Sequence, residues 1–307
     1  MAENAKKIAL KWVNDNSSMI SELNRKIWEF AELGLLEYKT SDLISDTLKG
    51  YGFEVEQGVA GMPSALVGLW GNGKPVIGIQ GELDALPSLS QKDVPYEDPI
   101  KKGDPGHGCG HNIYASSGVG GAIASKIAME ETGLHGTIKF LGTPAEETLV
   151  GKVFMVRDGV YDGVDAVLGH HIGTVNSATL GSSNAMNSMK FQFSGRSSHA
   201  GSTPWQGRSA LDAVELLNVG VNYMREHVPP QARVHYIIQE SGIQPNVVPD
   251  FARVWYYVRA PERDIVDSIY KWICDIAEGA AKMTQTKLEI KFQTGVYNKL
   301  PNNTLAN

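Results

Sequence analysis

The 307-residue chain has only two cysteines, Cys109 and Cys274. One disulfide is therefore the most it could form, which excludes a small disulfide-stapled scaffold. Basic charge is also scarce. Lys and Arg number 28 against 34 Asp and Glu, giving a formal charge of −6 with no cluster of one sign. That removes the electrostatic basis for binding nucleic acid or an anionic lipid surface. No apolar run approaches the length of a membrane span. The opening MAENAKKIALKWVNDNSSM is broken by charge too often to hold a signal-peptide core. Internal repeats and low-complexity tracts are absent as well. These absences predict a cytoplasmic protein with neither nucleic-acid nor membrane partners.

What is present is ordinary globular material, 42% hydrophobic and 20% charged, long enough for two domains. The first fifty residues read as helix in two segments, roughly 5–32 and 41–49. SALVGLW, PVIGIQG, GTIKFLG and VDAVLG read as strands, with GNGKP as a turn between the first two. YASSGVGGAIASKIAMEE reads as a helix whose small residues allow close packing on a sheet, and GKVFMVRDG as a short helix. This alternation predicts an α/β layer with a mostly parallel sheet. From about Asn187 the texture changes. MKFQFSG, RVHYIIQ, FARVWYYVRA and KLEIKFQ read as strands. The segments 208–225 and 262–283 carry apolar residues on one helical face. Two helices and about four strands predict a smaller α+β domain inserted as a unit. The expected division is 1–185, 186–297, and a short remainder 298–307 that begins a return to the first domain. Cys274, inside the second helix, reads as a small apolar residue.

The residue types that carry chemistry fall at the expected carboxyl ends of the α/β strands, where such folds place their sites. Asp84 follows PVIGIQG, Glu146 and Glu147 follow GTIKFLG, and His170 and His171 follow VDAVLG. The loop GHGCGHN precedes a helix and sets Cys109 between His107 and His111. Residues two apart in extended backbone point the same way, so Cys109 and His111 could reach one metal ion. Taken alone, the loop also allows a thiol that merely packs, or a cysteine nucleophile. Adjacent glutamates are commonly a solvated loop. Their functional reading divides labour, one carboxylate ligating metal and the other moving a proton. Of His170 and His171, only one is expected to face the site. Asp84 reads either as a turn cap or as a group orienting a ligand. In the second domain, His199 lies in a turn, Asn246 precedes a strand and Arg259 ends one. Arg259 could hold a carboxylate bidentately or make a surface ion pair.

Together GELDALPSLSQ, GHGCGHN, PAEE with GKVFMVRDGV, SSHAGSTPWQGRSALDAV, ARVHYII, PNVVPD and VRAPE resemble the metal-dependent aminoacylase/carboxypeptidase family of amidohydrolases. The resemblance runs from the first helix to the last residues. It implies a catalytic domain with an inserted lid and dimerisation domain, and hydrolysis of N-acyl amino acids such as p-aminobenzoyl-glutamate. It implies that Cys109, His111, Glu147 and His171 bind a cluster of two divalent ions, zinc or manganese. Glu146 matches the general base and Asp84 the acidic residue supporting the cluster. His199 matches a lid histidine that helps stabilise the oxyanion in a partner subunit. Asn246 and Arg259 match residues holding substrate carbonyl and carboxylate groups. The implied assembly is a homodimer, or a heterodimer with a related A-type subunit, through the lid. Members of this family continue beyond the lid and bring a further histidine ligand, whereas no histidine here follows His235. The sequence therefore reads as a fragment or a shortened descendant, either a hydrolase or a catalytically inactive binding or regulatory subunit of the same family, with exposed apolar surface and a free sheet edge expected.

Overall fold

The structure, a computed structural model, describes residues 2–178 and 181–306. It divides into two compact units, Met1–Asn176 and Ser177–Asn307.

The first unit opens with three helices, α1 (Ala2–Asp15), α2 (Ser17–Phe30) and α3 (Tyr38–Gly50). The single long helix expected before residue 32 is broken at Asn16. That residue leaves helical geometry (φ −111°, ψ 17°), and its side-chain amide donates to Trp12 O at 2.9 Å. Asn offers the backbone this local alternative more readily than a straight-chain residue would. Strands β1 (Glu54–Gln57), β2 (Leu66–Asn72) and β3 (Val76–Glu82) follow. Then come α4 (His111–Thr132), β4 (Gly136–Thr143), α5 (Gly151–Arg157) and β5 (Ala166–Leu168).

The five strands are ordered β1-β2-β4-β3-β5. β3 runs parallel to both β4 and β5, while β2 is antiparallel to β4 and to β1. The sheet is thus mixed: a parallel portion of three strands carries an antiparallel ribbon on one side. The GNGKP turn does not close a hairpin, because β4 slots between β2 and β3. Thr137 fastens the start of β4 to that turn, its N–H donating to Pro75 O and its hydroxyl to Gly73 O, each at 2.9 Å. β5 forms the other edge, and Leu168, Ile172 and Val175 beside it are exposed.

Helix α4 lies close on β3 because small residues meet there. A Cβ at Gly81 would stand 2.9 Å from Ala115 Cα, and one at Gly118 would stand 2.9 Å from Gln80 O. Ile27, Ile44, Leu48, Val119, Ile123 and Phe140 fill the core between helices and sheet.

The second unit is α+β. Strands β6 (Ala185–Ser194), β7 (Arg233–Glu240), β8 (Phe251–Ala260) and β9 (Lys287–Val296) form an antiparallel sheet ordered β7-β8-β6-β9. Helices α6 (Ala210–Met224) and α7 (Arg263–Thr284) pack on one face. Ser209 caps α6, its hydroxyl accepting from Asp212 N at 3.1 Å. Burial alternates along β8, so that Ala252, Val254, Tyr256, Val258 and Ala260 enter the core. Cys274 packs against that core as a small apolar side chain.

Candidate metal centre

Three parallel strands end at one edge of the first sheet, and their carboxyl ends carry the reactive side chains. β3 delivers Glu82 and, two residues on, Asp84. β4 leads into Pro144–Glu147, and β5 into His170 and His171. The loop before α4 brings Cys109 to the same edge, and His111 is the first residue of that helix.

His111 is the hub, with no exposed surface. Its Nδ1 donates to Asp84, 2.9 Å from the main-chain oxygen and 3.2 Å from Oδ1. Its Nε2 lies 3.0 Å from Glu82 Oε2 and 4.0 Å from both Glu146 Oε2 and Glu147 Oε1. On the open side Cys109 Sγ is 3.4 Å from His171 Nε2. The other nitrogen of His171, Nδ1, donates to Ile172 O at 2.9 Å, which leaves Nε2 its lone pair. The two imidazoles meet edge to face at 5.8 Å. Donor atoms of Cys109, His111 and His171 lie within 4.8 Å of one another, as do those of Glu82, His111 and Glu146.

Local backbone explains the placement. Gly110 takes a left-handed φ of 79° at the start of α4, and a Cβ there would stand 2.2 Å from Ile172 Cδ1. The chain can turn into the helix there and pass under the His171 segment only because that position is glycine. Asp84 Oδ2 accepts from Glu147 N at 3.0 Å, tying the β3 end to the β4 loop.

The electrostatics follow from burial and crowding. Burial alone would lower the pKa of His111. The neighbouring Asp84 and Glu82 carboxylates outweigh burial and push it up to about 11. Burial opposes ionisation of Glu82 and Asp84. His111 overcomes it, helped by Lys152 at Glu82 and by backbone N–H groups at Asp84, and holds both below their ordinary values. Burial raises Glu146, against the nearby Lys152 cation. Burial likewise raises the Cys109 thiol.

Two side chains missed by sequence reasoning belong to this cluster. Glu82 is 6% exposed, and its Oε1 accepts from Lys152 Nζ at 2.5 Å. Lys152 is also 4.0 Å from Glu146 Oε1. The spacing of Glu82 and Asp84 in GELD carried a signal, since residues two apart at a strand end share a face. Lys152 gave none. His170 stands apart, exposed, with Nδ1 3.5 Å from Ser117 Oγ. His107 turns inward, Nε2 lying 3.1 Å from Ile27 O, and burial pushes its pKa down to about 4.

In the second unit His199 is exposed, and its Nδ1 accepts from Gly201 N at 3.1 Å. It sits beside Asn246: His199 bridges to Val247, and Ala200 N donates to Asn246 O at 2.9 Å. Arg259 lies at the opposite end of β8, its guanidinium 5.6 Å from the Tyr257 ring centre and its Nε buried without a hydrogen-bond partner.

The cluster fits a divalent metal. His111 Nε2, Glu82 Oε2 and Glu147 Oε1 are buried and lack hydrogen-bond partners. Such atoms are costly unless something positively charged meets them. Thiol, imidazole and carboxylate together form a donor set that zinc accepts, and its carboxylate share also suits manganese.

Comparison with known proteins gives the same direction. The model of peptidase family M20/M25/M40 matches residues 78–298. The B-type subunit of p-aminobenzoyl-glutamate hydrolase from Escherichia coli (strain K12) is 42% identical over 293 residues, covering 94% of this chain. The chain spans 60% of that relative's length. Among solved structures, an aminobenzoyl-glutamate utilization protein from Klebsiella pneumoniae superposes with a TM-score of 0.76 at 22% identity, covering 96% of this chain and 80% of that one. A dinuclear metal binding peptidase of the M20 family from Bacillus subtilis gives a TM-score of 0.64 at 21% identity, covering 94% and 77%. At these identities the structural matches establish the fold.

Proposed function

The chain belongs to peptidase family M20/M25/M40, and on that footing we propose that it is a metal-dependent amidohydrolase acting on N-acyl amino acids, p-aminobenzoyl-glutamate above all. The products are p-aminobenzoate and glutamate. One observation carries the reading: His111 Nε2, buried and unpartnered, is ringed by Glu82, Glu146 and Glu147 at 3.0–4.0 Å, beside the Cys109–His171 pair. The substrate comes from the 42% identical relative.

In this reading Cys109, His111, Glu147 and His171 hold two divalent ions, zinc or manganese, with Asp84 fixing the His111 ring. Such ions supply Lewis acidity, polarising an amide carbonyl and making a water molecule more acidic. Glu146 takes the proton from the attacking water and returns it to the departing amine nitrogen. Burial raises its pKa, against the Lys152 cation, which makes it a better proton acceptor than an exposed carboxylate. The unit Ser177–Asn307 serves as lid and dimerisation surface. His199 there steadies the oxyanion of a partner subunit, Asn246 holds the carbonyl and Arg259 the glutamate carboxylate. The relative is by name one of the subunits of a hydrolase, so the partner is a second copy or a related A-type subunit.

The test is elemental analysis after gel filtration, then hydrolysis of p-aminobenzoyl-glutamate with and without added metal. About two ions per chain and metal-dependent release of p-aminobenzoate, abolished in Glu146→Ala, are expected. Hydrolysis that survives that substitution would remove Glu146 from the mechanism. A metal-free chain would remove the whole reading.

A further inference from the structure

Glu37 belongs to neither donor group, yet its carboxylate is wholly buried. Its Oε2 accepts from Ser64 Oγ at 2.6 Å, and its Oε1 accepts from Ala145 N at 2.8 Å, 108 residues along the chain. Ala145 immediately precedes Glu146. Its φ is +52°, a left-handed value that a residue with a side chain rarely adopts. Gly34 packs beneath it, and a Cβ there would stand 3.0 Å from Ala145 Cα. On the other side of Glu146, the amide of Glu147 donates to Asp84 Oδ2 at 3.0 Å. Two buried carboxylates from distant segments thus hold the amides that flank Glu146. The turn at Ala145 directly precedes Glu146, whose carboxylate stands 4.0 Å from His111 Nε2.

We propose that Glu37 is a positioning residue for the hydrolytic reaction. Through the Ala145 amide it fixes the Pro144–Ala145 peptide at the turn that leads into Glu146, and so fixes the direction of the Glu146 carboxylate. The proposal rests on the reading of Glu146 as the proton carrier. A carrier displaced by about 1 Å can lose on the order of 100-fold in rate while substrate binding is unaffected.

Three substitutions separate aim from bulk stability. Glu37→Met fills the same space with no acceptor. Glu37→Gln keeps both bonds, since its amide oxygen can accept from Ala145 N while its amide nitrogen donates to Ser64 Oγ. Glu37→Asp draws the carboxylate back and cannot span both donors; it carries the same expectations as the Met variant should that one fail to fold. With metal-loaded protein, kcat for p-aminobenzoyl-glutamate is expected to fall about 100-fold in Glu37→Met. KM and metal content should stay within about twofold, and Glu37→Gln should restore kcat to within about threefold of wild type. Crystal structures of wild type and Glu37→Met should show Ala145 leaving its left-handed φ and Glu146 turning away from His111. A Met variant with unchanged kcat, or one whose Ala145 and Glu146 have not moved, overturns the proposal. Should the metal-loaded wild type fail to hydrolyse the substrate, the functional reading falls, and the pair of crystal structures still decides whether Glu37 sets the geometry.

Discussion

His111 shows how one side chain couples metal loading to pH. Held between Asp84 and Glu82, with its pKa pushed up to about 11, it carries a proton through the neutral range when no metal is bound. The Cys109 thiol, raised by burial, is protonated there too. A metal ion displaces both protons, so apparent affinity should climb as pH rises from 6 to 8, by about tenfold per pH unit for each proton released. Isothermal titration in two buffers of different ionisation enthalpy counts those protons; a pH-independent affinity would contradict the ligand assignment. Asp84 is the next residue to probe. Asp84→Ala leaves Glu147 N without its acceptor and His111 with only the main-chain oxygen, and should cost about 2–3 kcal/mol in urea denaturation. Asp84→Asn, which keeps one acceptor oxygen, should cost less. At this scale the sequence shows Cys109, His111, Glu146, Glu147 and His171 as neighbours-to-be, because each follows a strand or opens a helix at the same edge. It hides Lys152 and Glu37, whose importance comes from partners 70 and 108 residues away.

The elements succeed or fail as hosts for these residues by how closely they approach one another. Gly81 and Gly118 set the contact of α4 on β3, and α4 carries His111. Gly118→Ala would drive a methyl group to 2.9 Å from Gln80 O. Overpacking of this kind typically costs about 1–3 kcal/mol. A shift of α4 should also lower metal content, measurable by elemental analysis alongside a melting curve. Gly121→Ala, on the same helix with nothing within 4 Å of the added carbon, is the matched control and should leave metal content unchanged while raising the melting temperature slightly. The small-residue composition of this helix is readable from sequence because it has one physical use. Three features were not. β1 is only four mostly exposed residues, too short to show a period. The break at Asn16 depends on one side-chain hydrogen bond. The mixed sheet depends on β4, more than 60 residues downstream, entering between two strands that a short turn joins.

At the scale of the whole molecule, the two units have separate cores, and among the described residues both candidate donor groups lie in the first. Metal should therefore stabilise one unit and not the other. In calorimetry, saturating metal at about 100 times its Kd should raise the stability of the first unit by roughly 2.7 kcal/mol. A second transition, belonging to Ser177–Asn307, should stay where it is. Chelation should lower the first transition without abolishing it, since the core of that unit owes nothing to the cluster. A single transition that shifts as one would mean the units melt together. The hydrophobic pattern changes near residue 187, from strands alternating with helices to half-buried antiparallel strands, whereas the compact units divide at Asn176 and Ser177.

Among the described residues, the stretch before residue 38 contributes no candidate ligand, yet three of the four segments that build the cluster are hung from it. Ala85 N donates to Glu32 O at 2.8 Å, the His107 ring meets Ile27 O at 3.1 Å, and Ala145 N donates to the carboxylate of Glu37. The opening helices are a jig, supplying dimension without chemistry. A chain relieved of them would keep every donor atom and lose the distances between those atoms, so a random mutagenesis screen for lost metal binding should return clusters of hits around residues 27–37 as dense as those around the donor groups themselves.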